Sequence, residues 1–168
     1  MTLKADLKTE KAIFAAGCFW GVEEIIRKLP GVITSTVGYT GGATENPTYP
    51  EVKKGTTGHA EAIEIDYDPS VITYATLLDT FFRFHNPTTL NRQENDVGSQ
   101  YRSAIFYLDE NQKTVATAKK AAVDASGKWK NPVVTEITPA NRFFSAEDYH
   151  QDYLIKNPDG YNCHYLRD

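Results

Sequence analysis

The chain reads as an α+β fold with a ferredoxin-like βαββαβ core, a mostly antiparallel sheet with helices packed on it. Short apolar runs suited to strands alternate with stretches whose apolar residues recur at helical spacing. Up to residue 108 their order is strand, helix, strand, strand, helix, strand, with further C-terminal helices and an irregular tail beyond. No repeat, low-complexity tract or linker divides the 168 residues, a length suited to one well-packed core. A single domain over 1–168 is expected, with its core at about 11–156 and a cysteine-bearing tail at about 157–168.

Lys11-Ala12-Ile13-Phe14-Ala15-Ala16 is apolar enough for a buried strand, and Gly17 permits a tight turn after it. Val22, Ile25, Ile26 and Leu29 then follow helical spacing, with Glu23, Glu24, Arg27 and Lys28 opposite, until Leu29-Pro30-Gly31 stops the helix. Gly31 to Gly38 has strand composition. From Gly41-Gly42 to Gly58 runs a loop long for a connection without an element of its own, which marks a functional segment. His59 to Tyr67 is the next strand. A helix opened by Asp68-Pro69-Ser70 would bury Val71, Tyr74, Ala75, Leu78 and Phe81 and close at Asn86-Pro87. A second polar loop, Thr88 to Gln100, leads to a strand from Tyr101 to Leu108. Asn111 to Ser126 reads as a helix stopped by Gly127, Val133 to Ile137 as a strand, and Ser145 to Ile155 as a last helix with a capping arrangement at Ser145-Ala146-Glu147-Asp148. After Asn157-Pro158-Asp159-Gly160 no regular element is expected.

A net charge of −4 and a pI near 5.6 argue against nucleic acid as the main partner. Lys119, Lys120, Lys128 and Lys130 around Trp129 read as a solvated helix end and loop. Met1 to Asp6 lack the apolar core of a signal peptide, and no segment approaches membrane-spanning length, so a cytoplasmic location is expected. In a reducing compartment, two cysteines near opposite ends, Cys18 and Cys163, are more often catalytic or redox-active than a structural staple. The four histidines are scattered and no Cys-x-x-Cys pair occurs, so no metal site is expected.

Cys18 falls in or just before the first turn of a helix, where unpaired backbone N–H groups favour a thiolate, the nucleophilic form. The alternative is a small buried hydrophobe. Alternation in the strand from His59 puts Glu61 on one face with Ile63 and Ile65. Apolar surroundings raise a carboxyl's pKa and keep it able to donate a proton at neutral pH. The alternative is a frayed strand end reaching water. Tyr49, Asp96 and Tyr101 come from or border the two long loops, where binding residues concentrate on a rigid scaffold. Their tyrosine hydroxyls could hold a partly negative oxygen or simply reach solvent. Phe19 and Trp20 could be core, or could wall a small apolar pocket beside the thiol.

Gly17-Cys18-Phe19-Trp20-Gly21, Gly38-Tyr39-Thr40-Gly41-Gly42, Gly58-His59-Ala60-Glu61, Asn95-Asp96-Val97-Gly98-Ser99-Gln100-Tyr101-Arg102-Ser103 and Gly160-Tyr161-Asn162-Cys163-His164 occur in this order. Together they resemble the A-type peptide methionine sulfoxide reductases, over roughly Ile13 to Leu166. The resemblance implies that Cys18 attacks the sulfoxide sulfur while Glu61 protonates its oxygen and Tyr49 and Tyr101 hydrogen-bond to that oxygen. Phe19 and Trp20 would receive the substrate's methyl group, and Asp96 would hold the substrate backbone or ordered water. Oxygen transfer would leave a sulfenic acid on Cys18, which Cys163 would resolve to a disulfide. The tail after Pro158-Asp159-Gly160 is expected to swing for that step.

The resemblance further implies the S epimer, in protein-bound or free methionine sulfoxide, with no cofactor and thioredoxin as external reductant. Some members of the family carry another cysteine further along the tail. None follows Cys163 up to Asp168, so thioredoxin is expected to attack the Cys18–Cys163 bond directly. A monomer is expected. A cysteine-dependent hydrolase leaves Glu61 and the second cysteine unexplained, and a non-enzymatic ferredoxin-like binding domain needs no reactive thiol.

Overall fold

A computed structural model of the chain describes residues 8–167. The reading of Met1 to Asp6 therefore lies outside the described residues. Strand β1 (Glu10–Ala16) pairs antiparallel with β3 (Ala60–Tyr67) on one side and β6 (Ser103–Tyr107) on the other. Strand β2 (Val32–Thr40) pairs antiparallel with β3, setting Tyr39 opposite Glu61. The order β6-β1-β3-β2 is the expected ferredoxin-like core. Two edge strands extend it: β7 (Glu136–Pro139), parallel to β6, and β8 (Phe143–Ser145), antiparallel to β2.

Helices cover one face. Phe19, Val22 and Ile26 of α1 (Phe19–Ile26), Leu77, Leu78 and Phe81 of α3 (Tyr74–Phe84), and Ala116 of α4 (Glu110–Ala125) share one core with Phe14, Ile63, Ile65 and Ile105 of the sheet. The other face holds a smaller cluster of Ile13, Ala15, Ala60, Ala62, Ala104 and Phe106. Because β1 and β3 run in opposite directions, the end of β1 that leads to Cys18 lies beside the start of β3 that carries Glu61. Two residues far apart in the chain thus meet at one end of the sheet.

Several elements differ from expectation, each for a local reason. The loop after Gly41 contains a short helix, α2 (Tyr49–Lys53), capped reciprocally by Thr48 and Glu51 with a proline in its first turn. Thr48-Tyr49-Pro50-Glu51 was its sequence signature. Helix α3 starts at Tyr74, not at Ser70, because the Thr73 hydroxyl accepts the Thr76 N–H while Asp68 closes a separate turn through Ser70. Val71 consequently faces solvent, and Ala75 is only half-buried. The second loop folds into a miniature hairpin, β4 (Arg92–Gln93) with β5 (Asp96–Val97), and a 3-10 turn at Ser99–Tyr101, so Tyr101 precedes strand β6. The strand expected at Val133–Ile137 lies instead at Glu136–Pro139.

The helix expected from Ser145 to Ile155 does not form. Its residues are divided among the end of β8, a 3-10 turn at Asp148–His150 and the four-residue α5 (Tyr153–Lys156). Tertiary bonds take the groups a continuous helix would need. Gln151 accepts the Val37 N–H and donates to the Val37 carbonyl, at 2.9 and 2.8 Å. Asp152 adopts a left-handed conformation (φ 52°) while its N–H donates to the buried carboxylate of Glu23 at 2.6 Å. Glu147, expected in a capping turn, instead accepts from Tyr39 Oη and the Tyr49 N–H at 2.9 and 3.0 Å. Residues 157–167 contain no helix or strand, as expected.

Candidate active site

Cys18 stands immediately before α1, at the cap position, after a turn that Gly17 makes with φ +91°. Its side chain is buried. Glu61 is only 2% exposed, and its Oε1 accepts the N–H of Phe19 at 3.2 Å, one residue from the thiol. Loss of solvent is the main reason its carboxyl is pushed up to about 8. The Phe19 amide and the Lys53 ammonium pull it down, and the Asp96 charge pushes it up. Glu61 is therefore a carboxylic acid at pH 7. The frayed-end alternative is excluded by this burial and by the Phe19 hydrogen bond.

The thiol departs from expectation. Burial first, then the negative charge of an ionised Glu61, pushes Cys18 well above the usual cysteine range, outweighing the pull of the Trp20 backbone amide. The helix start is present, but desolvation is the stronger effect in so enclosed a position. At rest the pair is a thiol beside a neutral acid.

Tyr49 of α2 and Tyr101 of the 3-10 turn are half-buried, and burial pushes both phenols above their ordinary value. Each also feels the charges of Glu61, Cys18 and Asp96, so the two long loops bring Tyr49, Asp96 and Tyr101 to the end of the sheet that holds Cys18 and Glu61. Asp96 itself is pushed up by burial, with the Tyr161 hydroxyl donating to it at 3.3 Å.

Phe19 is buried between Tyr39 and His150, with ring centroids 5.7 and 5.2 Å away. Trp20 is half-buried. Its ring stacks on Tyr153 at 3.8 Å and its indole N–H donates to His150 Nδ1 at 2.9 Å. The His150 ring also packs on Tyr49 at 4.3 Å. His150 and Glu147 thus fix Trp20 and Tyr49, roles the sequence reading missed because both residues lay in the expected last helix. No periodic signal distinguishes such a contact residue from a helical one.

From the tail, Cys163 is half-buried, with its sulfur 3.6 Å from His164 Nδ1. Its charge acts on Cys18, so the two thiols share the site. Burial pushes Cys163 up, against the pull of the Tyr161 hydroxyl. No group of three or more His, Cys, Asp or Glu side chains arranged for a metal ion occurs among the described residues. No helix among them is long and apolar enough to cross a membrane.

A buried carboxylic acid beside one thiol, with a second thiol within electrostatic reach on an irregular tail, defines a cysteine-dependent oxidoreductase. Comparison with known proteins narrows the class. The family model for peptide methionine sulfoxide reductase matches residues 10–168. Peptide methionine sulfoxide reductase MsrA of Nocardia farcinica (strain IFM 10152) is 55% identical over 159 residues, 95% of this chain and 91% of that protein. Reduced Mxr1 of Saccharomyces cerevisiae superposes with a TM-score of 0.91 at 39% identity, covering 98% of this chain and 95% of the yeast chain. Mxr1 in complex with Trx2 gives a TM-score of 0.66 at 29% identity, covering 100% and 96%. The chain belongs to the peptide methionine sulfoxide reductase family, and its reaction is the reduction of methionine sulfoxide.

Proposed function

We propose that the protein reduces the S epimer of methionine sulfoxide, in proteins or as the free amino acid, with Cys18 as nucleophile and Glu61 as acid. One observation carries this reading: a carboxyl held neutral by burial, at about 8, accepts a hydrogen bond from the residue that follows the thiol. A sulfoxide oxygen leaves poorly unless protonated, so an acid at this position answers the chemical need. Glu61 passes its proton to the oxygen while the Cys18 thiol, losing its own proton to Glu61, bonds to sulfur. The hydroxyl then transfers to the Cys18 sulfur and methionine leaves. Tyr49 and Tyr101 donate to the oxygen as it gains charge. Their raised pKa keeps them protonated and able to donate. Phe19 and Trp20 receive the substrate's methyl group, and Asp96 holds its backbone or an ordered water.

The sulfenic acid on Cys18 is resolved by Cys163, and thioredoxin reduces the resulting disulfide. The electrostatic effect of Cys163 on the Cys18 thiol supports the first step, and the yeast relative's complex with Trx2 supports the second. We further propose a cytoplasmic monomer that needs no cofactor, working as a single catalytic domain with a tail that moves between steps.

Mixing reduced protein with a methionine sulfoxide peptide, without other reductant, tests the scheme by mass spectrometry. One methionine and one intramolecular disulfide should form per chain. Cys18→Ser should form neither. Cys163→Ser should form one methionine, keep a trappable sulfenic acid and stall with thioredoxin. Continued cycling of Cys163→Ser would remove its resolving role.

A further inference from the structure

His164 is buried although the segment around it has no helix or strand. Its Nε2 lies 2.7 Å from the carbonyl oxygen of Ala16, the residue that ends β1 two positions before Cys18. A carbonyl can only accept, so Nε2 carries the hydrogen and Nδ1 presents a lone pair. That lone pair faces Cys163 Sγ at 3.6 Å, where the thiol donates to it. Burial pushes the imidazole down to about 4, so it is neutral at physiological pH. The His164 N–H donates to Asn162 Oδ1 at 3.0 Å, which folds the two side chains together.

The receiving surface is the Gly17–Gly21 motif itself. A Cβ on Gly21 would collide with Asn162 Oδ1 and lie 2.6 Å from His164 Nδ1. Gly21 sits inside α1 with no unusual φ, so its missing side chain serves this close approach and not the backbone's shape. A Cβ on Gly17 would come within 3.5 Å of His164 Nε2.

We propose that Asn162 and His164 form a latch seated on the Gly17–Gly21 turn, with His164 the positioning residue that holds the Cys163 thiol ready for the Cys18 sulfenic acid. The latch rests on the reading of Cys163 as resolving thiol. In the step it serves, the Cys163 sulfur bonds to the Cys18 sulfur as the Cys18 S–O bond breaks. The departing hydroxide takes the Cys163 proton and leaves as water. Cys163 is oxidised and Cys18 reduced from the sulfenic level, so no outside oxidant enters. Seating the tail raises the effective concentration of one thiol at the other. Forming the disulfide removes the S–H that His164 Nδ1 accepted, which loosens the latch and frees the tail for the external reductant.

Rapid-quench single turnover on the full chain tests this with a methionine sulfoxide peptide and dimedone as sulfenic acid trap. His164→Ala should form methionine at the wild-type rate, form disulfide at least tenfold more slowly, and label with dimedone. His164→Gln, which keeps an N–H donor, should recover part of the disulfide rate. Gly21→Ala, which fills the seat from the other side, should also slow the disulfide step. With dithiothreitol, which resolves the sulfenic acid without the tail, His164→Ala should turn over normally. Wild-type disulfide formation in His164→Ala, while Cys163→Ser stalls, would overturn the latch and leave the Cys163 reading intact. Equal losses of methionine and disulfide formation would also overturn it, by making His164 a support for the fold. Cycling of Cys163→Ser with thioredoxin would overturn the reading beneath it.

Discussion

Replacing Glu61 with glutamine should make the protein more stable and far less active. Burial carries the Glu61 carboxyl from 4.5 to about 8. At pH 7 the unfolded chain's carboxyl is ionised and the folded one is protonated, so folding must take up a proton. Stability from this group is fully present below pH 4.5 and is lost as pH rises through 8. At roughly 1.4 kcal/mol per pH unit, the loss is roughly 1 kcal/mol at pH 5 and roughly 3 kcal/mol at pH 7. Glutamine has nearly the same shape, and its carbonyl can accept the Phe19 N–H as Glu61 Oε1 does. It has no charge to bury and no acidic proton to give. Urea unfolding of the Glu61→Gln variant and wild type should therefore show a stability gap that widens from pH 5 to pH 8. Single-turnover methionine formation should fall about 10²- to 10⁴-fold, the usual worth of a positioned acid. A gap that stays flat with pH would refute the buried-acid argument, and an unchanged single-turnover rate would refute the catalytic role.

The methionine-forming step in wild type should decline as pH rises through about 8. There Glu61 loses its proton, and its new charge holds Cys18 further from ionisation; a rate that climbs through that range would show the thiol, not the acid, in control. Gly17→Ala should destabilise the fold by about 1–3 kcal/mol, since alanine must adopt φ +91° with its Cβ within 2.7 Å of the Gln93 side chain. Urea midpoints equal to wild type would contradict that strain. Trp20→Ala removes the stack on Tyr153 and the bond to His150, and should raise KM for a methionine sulfoxide peptide more than it lowers kcat. The reverse split would give Trp20 a part in the chemical step.

Local pattern exposed the βαββαβ core because its strands are short apolar runs bounded by turn residues and its helices repeat apolar residues at helical spacing. The apolar run from Ala12 to Ala16, the alanine-rich helix α4 stopped by Gly127, and the alternation in β3 need no distant partner to be read. The segment from Ser145 to Ile155 has helical pattern but forms no continuous helix, because Glu147, Gln151 and Asp152 bond to Tyr39, Val37 and Glu23, far back in the sequence. Propensity has no access to such partners, and here they prevail over it. Helix α2 falls inside a segment that reads as loop, although Thr48 and Glu51 form its capping box.

The sequence alone determined which residues can do chemistry here: two thiols, one carboxyl on an apolar strand face, and aromatics beside the first thiol. It also determined the strand order's local ingredients, since those depend on periodicity and turn residues. Only the tertiary structure decided the protonation states. Desolvation depends on everything packed around a group, so the same burial that keeps Glu61 an acid also holds Cys18 as a thiol, against what its place before a helix implied. The tertiary structure likewise decided why Gly21 has no side chain, because the His164 that needs the space is brought there only when the tail packs on the first helix.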